Sequence, residues 1–338
     1  MLLQNAFIGS LVADAVSMPV HWYYDTVAMD SDYGCITGYV KPRNPHPDSI
    51  LWRSSFNLPS SRINILHHHA EFWGRRNVHY HQFLEAGENT LNLKLAIELY
   101  HHVISEGSYN VDTWLSRYID LMQSPGWNND TYIEEYHREF FMNLARGRKP
   151  RDCGINDHHI GGLSHVPALM AALEVLGIDD KATLKEHVMS HVSLTHRNRH
   201  TASCAVSLVN ILCAVKTGCQ VQESILEFAD KHFCTGNLRE WSSLPDRSVV
   251  GSRLTPACYL PHSLTASLYL AWQYSSDFSG GILANANGGG DNCHRGVVVG
   301  SILGAANGVS SEWLQGLHSM KQLERDDVSS PYRIKEIE

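Results

Sequence analysis

The stretch GGGDNCHRGVVVGSILGAANG, running from Gly288 to Gly308, decides the fold class. Gly296, Gly300, Gly304 and Gly308 recur at every fourth position among Val, Ile, Leu and Ala. That spacing keeps residues on one face of an α-helix, so the pattern predicts a helix over 296–307. Each glycine costs a helix about 1 kcal/mol against alanine. The return is close approach of another backbone. The segment reads as a central helix, and the residues ahead of it, Gly288-Gly289-Gly290-Asp291-Asn292-Cys293-His294-Arg295, point into the interior.

Outward from this helix, helical periodicity dominates. Leu93, Ile97, Tyr100 and Ile104 follow Thr90 at helical spacing. Ala202, Val206, Val209 and Cys213 form one stripe, and Ala205, Leu208, Leu212 and Val215 a second on the same helix. Two apolar faces imply burial on most sides. Further helices are expected at 2–16, 111–122, 132–147, 164–176, 180–193, 221–234 and 262–274. Strand alternation is weak throughout. Residues 25–65, rich in Pro, Ser, Asp and Asn, and residues 236–257 read as excursions over the surface. The predicted class is all-α: one domain over 1–320 around a polar pocket, with a charged tail over 321–338.

Of the 338 residues, 43% are apolar, enough for a full core, and only 18% are charged, below the usual share of roughly 25%. Several helices buried on all sides would produce that deficit. The net charge of −8 repels phosphate backbones and anionic lipids, so neither nucleic acid nor a membrane is an expected partner. Eight cysteines are scattered without a CxxC pair. No disulfide is predicted, Cys204 and Cys213 are expected to be buried, and the compartment reads as reducing and cytoplasmic. No Lys or Arg precedes Lys41, which argues against a signal peptide. No apolar run approaches the roughly 20 residues of a membrane span.

Three segments could carry chemistry. In the first, Asp291 and Cys293 start the glycine-rich helix, where the dipole stabilises anions and lowers thiol pKa; the plainer reading is Asp291 as a helix cap. In the second, Gly87-Glu88-Asn89-Thr90 opens a long apolar helix and offers either a cap or oxygen ligands for a hard cation. In the third, Gly9-Ser10-Leu11-Val12-Ala13-Asp14-Ala15, followed by Met18-Pro19-Val20-His21-Trp22, puts the carboxylate of Asp14 in an apolar helix. A surface aspartate is the default there and a pocket aspartate the alternative. The 21 histidines include runs at His67-His68-His69, His101-His102 and His158-His159. They show no zinc-type Cys/His spacing and read as surface or hydrogen-bonded side chains. Cys293 beside His294 lacks a third orienting group for nucleophilic catalysis.

The order of these segments resembles the ADP-ribosylglycohydrolase family. Ala13-Asp14-Ala15 with Pro19 matches its opening helix, and Gly87-Glu88-Asn89-Thr90 stands where the family has Thr-Asp-Asp-Thr. Leu194-Thr195-His196 matches its mid-chain segment. Gly289-Gly290-Asp291-Asn292-Cys293-His294 stands where it has Gly-Gly-Asp-Thr-Asp-Thr. The resemblance spans roughly 2–315 and implies an all-α fold with a central cleft holding two magnesium ions in active members. By that correspondence Gly87, Glu88, Asn89, Cys293 and His294 have replaced metal ligands, and only Glu88 and Asp291 keep a carboxylate.

Thiol and imidazole suit magnesium poorly. The expectation is therefore no metal cofactor and no catalytic residue, with Glu88, Asn89, Asp291, Cys293 and His294 as vestigial positions and Asp14, Gly290 and Asp291 as pocket candidates. Magnesium is expected only if an active site survives. The segments His79–Asn92, Ile160–Leu163 and Gly290–Gly296 are similar to the J-type lens crystallin and selenoprotein J branch. The leading expectation is a structural lens crystallin, self-associating at high concentration. The alternatives are an ADP-ribosyl hydrolase with an altered metal site and a module that binds ADP-ribose without turnover, its phosphates held at the glycine turn.

Overall fold

The computed structural model describes residues 2–57, 63–229 and 237–325. Its longer helices are α1 (Leu2–Ser17), α2 (Thr26–Tyr33), α3 (Leu91–Glu106), α4 (Val111–Gln123), α5 (Glu135–Ala145) and α6 (Val166–Val175). They continue with α7 (Lys181–Val192), α8 (Arg199–Lys216), α9 (Val221–Phe228), α10 (His262–Gln273), α11 (Phe278–Asn287) and α12 (Asn292–Asn307). Among the described residues there is no strand, only isolated bridges from Ile155 to His196 and from His159 to Tyr259. The fold is all-α. No described helix is long and apolar enough to cross a membrane. Side-chain caps set several helix starts, Asn110, Asp180 and Asn198 each accepting two backbone N–H groups. Helix α9 ends at Phe228, short of the expected 234; residues 230–236 and the tail beyond Arg325 lie outside the described residues.

Helix α12 is central, buried from Asn292 through Ala305, and packs on α1, α8, α10 and α11. It begins four residues earlier than its glycine pattern indicates, so Cys293, His294 and Arg295 form its first turn. The glycine face meets α1. A Cβ on Gly300 would lie 2.2 Å from the Gly9 oxygen, one on Gly9 2.2 Å from the Gly300 oxygen, and one on Gly304 2.4 Å from the Asn5 oxygen. Gly308 does not join that face; it ends the helix at φ 73°.

Three expectations are corrected. Segment 25–65 is not a pure surface excursion: it contains α2 and buries Met29, Ile36, His46, Ser49 and Leu51. Its turn-formers anchor it, the Asp48 carboxylate accepting the N–H groups of Tyr24 and Asp25. Likewise 236–257 buries Leu238, Trp241, Val249 and Val250. On α8 only the stripe of Ala205, Leu208, Leu212 and Val215 is fully buried; Ala202, Val206 and Cys213 lie at the boundary, while Cys204 is buried.

Candidate functional site

The glycine turn before α12 is a clamp. Gly289 and Gly290 have φ of 64° and 65°, open to glycine at little cost. Gly290 donates its N–H to the Tyr23 oxygen (2.6 Å) and accepts from the Trp22 N–H (2.8 Å), while Asp291 donates its N–H to the Pro256 oxygen (2.8 Å). These amides are committed to backbone partners. The Asp291 side chain makes no capping bond, so the cap reading fails. It turns inward, 1% exposed, and its Oδ1 accepts from His21 Nε2 (2.9 Å) and His294 Nδ1 (2.6 Å). Its Oδ2 is buried without a hydrogen-bond partner, 3.9 Å from His159 Nε2.

Asp14 is no surface residue; it is fully buried. Its Oδ2 accepts from the Thr90 N–H (2.9 Å) and Asn89 Nδ2 (2.9 Å), and its Oδ1 from Thr90 Oγ1 (2.7 Å). Asp130 Oδ2 accepts from the Leu91 N–H (2.5 Å). Two carboxylates from elsewhere in the chain thus cap α3, whose own Thr90 makes no side-chain cap bond. The Cys293 thiol donates to the Asp14 carbonyl oxygen at 3.7 Å. The fold therefore joins Asp14, Asn89 and Cys293 directly.

Glu88 lies apart from that junction. Its carboxylate accepts from the Glu85 N–H (2.7 Å) and lines a half-open depression with Lys94, Asn128 and His318. Gly87, at φ 86°, is where the 316–318 segment presses in; a Cβ there would lie 2.0 Å from the Gly316 oxygen.

Between these groups runs a chain of rings that sequence reasoning did not assign. Asp130 Oδ1 pairs with His81 Nδ1 (2.5 Å), His81 Nε2 with His21 Nδ1 (2.7 Å), and His21 Nε2 with Asp291. His294 extends the chain, its Nε2 lying 3.0 Å from Asn92 Nδ2 and 3.5 Å from Glu134 Oε1. Trp22, at the unusual φ of 62°, stacks on His21 with ring centroids 3.9 Å apart. Tyr80 and Tyr132 meet the Trp22 ring edge-on. His21 and the His79-Tyr80-His81 alternation stood inside segments already singled out. Asp130, after two asparagines, carried no signal. His196, from the mid-chain segment, packs on Tyr136 with centroids 4.4 Å apart.

Burial dominates the electrostatics. It would raise the Asp291 carboxyl, but the His294 charge and the hydrogen bonds from His21 and His294 hold it well below the usual range. Burial would lower His294, yet the charge and hydrogen bond of Asp291, aided by Glu134, push it up to about 10. His21 is held well below the ordinary histidine value, chiefly by burial. The Cys293 thiol is pushed well up by burial, then by Asp14 and Asp291. That reverses the expectation of a lowered thiol: in a sealed site desolvation outweighs a helix dipole. Cys293 is not an activated nucleophile.

A family model described as ADP-ribosylglycohydrolase matches residues 3–334. Among solved structures, one titled ADP-ribosylglycohydrolase-related protein complex matches with a TM-score of 0.56 at 17% identity, covering 96% of each chain. At that identity the likeness speaks for the fold alone. No curated protein matches.

Proposed function

The chain belongs to the ADP-ribosylglycohydrolase family, and from that premise we propose that it keeps the family scaffold without magnesium-dependent ADP-ribosyl hydrolysis, serving a structural role like that of the J-type lens crystallins. One observation carries the reading: both inward carboxylates at the junction of the first and last motifs are engaged by internal donors, Asp14 by Asn89 and Thr90, Asp291 by His21 and His294. Magnesium asks for near-octahedral oxygen coordination. The junction is crowded by the imidazoles of His21, His81 and His294 and the thiol of Cys293; of the further carboxylates, Asp130 is taken up by His81 and the Leu91 N–H, Glu134 faces His294, and Glu88 caps its own turn. The donor set does not fit a magnesium pair. Tight glycine-to-backbone packing and a net charge of −8 suit a protein kept soluble at high concentration.

Calorimetry with magnesium, followed by an assay on ADP-ribosylated arginine and serine peptides, tests the proposal. The expected result is neither binding heat nor released ADP-ribose. Turnover that is lost on chelation and in Asp291→Ala overturns it. A second reading, a hydrolase working with a single ion, draws on the unpartnered Asp291 Oδ2, and that turnover is its signature. Tight magnesium binding without turnover supports a binding module instead. The lens role is tested by protein abundance across tissues; uniform low abundance refutes it.

A further inference from the structure

We propose that His21, His81 and Cys293 form a buried site for one zinc-class transition-metal ion, at the place where magnesium does not fit. Hydrogen-bond directions leave two ring nitrogens facing each other there. A carboxylate accepts, so the ring nitrogen facing it carries the hydrogen. His81 Nδ1 faces Asp130 and His21 Nε2 faces Asp291. Each ring is therefore left with a bare nitrogen, His81 Nε2 and His21 Nδ1, and these two face each other at 2.7 Å. Two lone pairs at that distance repel unless a cation lies between them, either a shared proton or a metal ion.

The surroundings select between ion types. The Cys293 sulfur and a nitrogen of each ring lie within 4.8 Å of one another, and all three residues are buried. Two imidazole nitrogens and a thiolate make a borderline-to-soft donor set, suited to zinc rather than magnesium. Three protein donors are the number a zinc-type ion keeps when its fourth position stays open. Asp130 and Asp291 already supply the carboxylate-to-histidine support that orients imidazole ligands.

A nearby alternative, His159 with Cys258 and Asp291, fails the same test. His159 Nδ1 accepts the Gly161 N–H, so its Nε2 holds the hydrogen and has no lone pair to offer. At zinc–nitrogen distances of about 2.0–2.1 Å, the His21 and His81 nitrogens would part by roughly 0.6 Å.

The exchange balances. One divalent ion enters; the proton between the rings and the Cys293 thiol proton leave. The site's net charge is unchanged, so the charges of Asp14, Asp130, Asp291 and His294 around it face the same total in either state.

The test uses the full chain expressed in cobalt- or zinc-supplemented medium, so that the ion is present while the buried site forms. Elemental analysis after desalting is expected to find about one ion per chain, and calorimetry in two buffers the release of about two protons per ion. The cobalt form is expected to show a thiolate-to-metal charge-transfer band. Cys293→Ser abolishes that band, His81→Gln loses the ion, and Asp130→Asn weakens binding about 10–100-fold. Cys258→Ser and His159→Gln retain it. Circular dichroism of each metal-free variant separates loss of the ion from loss of the fold; should His81→Gln unfold, His21→Asn replaces it. Wild-type protein carrying no more metal than a folded His81 variant, or a charge-transfer band surviving Cys293→Ser, overturns the proposal. Magnesium-dependent turnover would end the structural reading of the function and leave this site standing; an absent transition ion would do the reverse.

Discussion

Asp14 holds the start of a helix to which it does not belong. Its carboxylate is where the Thr90 amide, the Thr90 hydroxyl and the Asn89 side chain discharge their hydrogen bonds inside the core. Removing it strands buried donors, each costing about 1–3 kcal/mol. Asp14→Ala is therefore expected to lose at least about 2 kcal/mol in urea unfolding, and a loss within the error of the measurement would show that the three bonds do not matter. Cys293 makes the opposite point about reactivity: buried, with its thiol held protonated, it has neither access nor nucleophilicity. Alkylation of the native protein should modify the exposed Cys35 and Cys219 and leave Cys293 untouched until the chain unfolds, with peptide mass spectrometry as the readout. Rapid native labelling of Cys293 would contradict the geometry.

At the scale of elements, the contact of α1 with α12 decides the fold. Replacing a helical glycine by alanine ordinarily gains about 1 kcal/mol. At Gly300 the added carbon would lie 2.2 Å from the Gly9 backbone oxygen, and a backbone cannot give way as a side-chain end can. Gly300→Ala is expected to cost a net of about 1–3 kcal/mol or more, whereas Gly251→Ala, in open space, should be nearly neutral. Equal melting temperatures for the two variants would refute this. The four-residue glycine spacing was legible in the sequence because it is a single-helix property, and it pointed to the right neighbour type. The elements around it were legible where apolar periodicity was strong, as in α3 and α8. Helices α2 and α11 were not: Thr26–Tyr33 is mostly polar, and Phe278–Asn287 mixes Ser, Gly and Asn, so tertiary packing rather than pattern makes them helical. The site was half legible. Asp14, Asn89, Asp291 and Cys293 could be named from motif order, but the ring chain needs His21, His81 and Asp130 together, and no periodicity links residues so far apart in sequence.

For the whole molecule, the buried histidines set a pH optimum. His294 is raised to about 10, so the stability it contributes is complete below its ordinary 6.5 and is lost as pH climbs toward 10. His21, His79, His137 and His191 are lowered, so the unfolded chain takes up more protons than the fold once pH drops below about 6.5, and stability falls there too. Several lowered histidines outweigh the one raised at the ordinary histidine value, so unfolding free energy should peak above it, at about pH 7–7.5, with His294→Gln flattening the alkaline limb; a maximum below pH 6 or above pH 8 would contradict the assignment. The pairing of Gly9 with Gly300 also has a consequence in time. On the ribosome α1 emerges well before α12, its largest neighbour, so at roughly 5–20 residues per second the nascent chain holds the glycine face of α1 uncovered for roughly tens of seconds. Helix α6, made earlier, covers another side of α1, but the glycine face waits for α12. A cell producing this protein in quantity must shelter that face until residues 292–307 arrive, and any message truncated before Asn292 leaves it exposed for good.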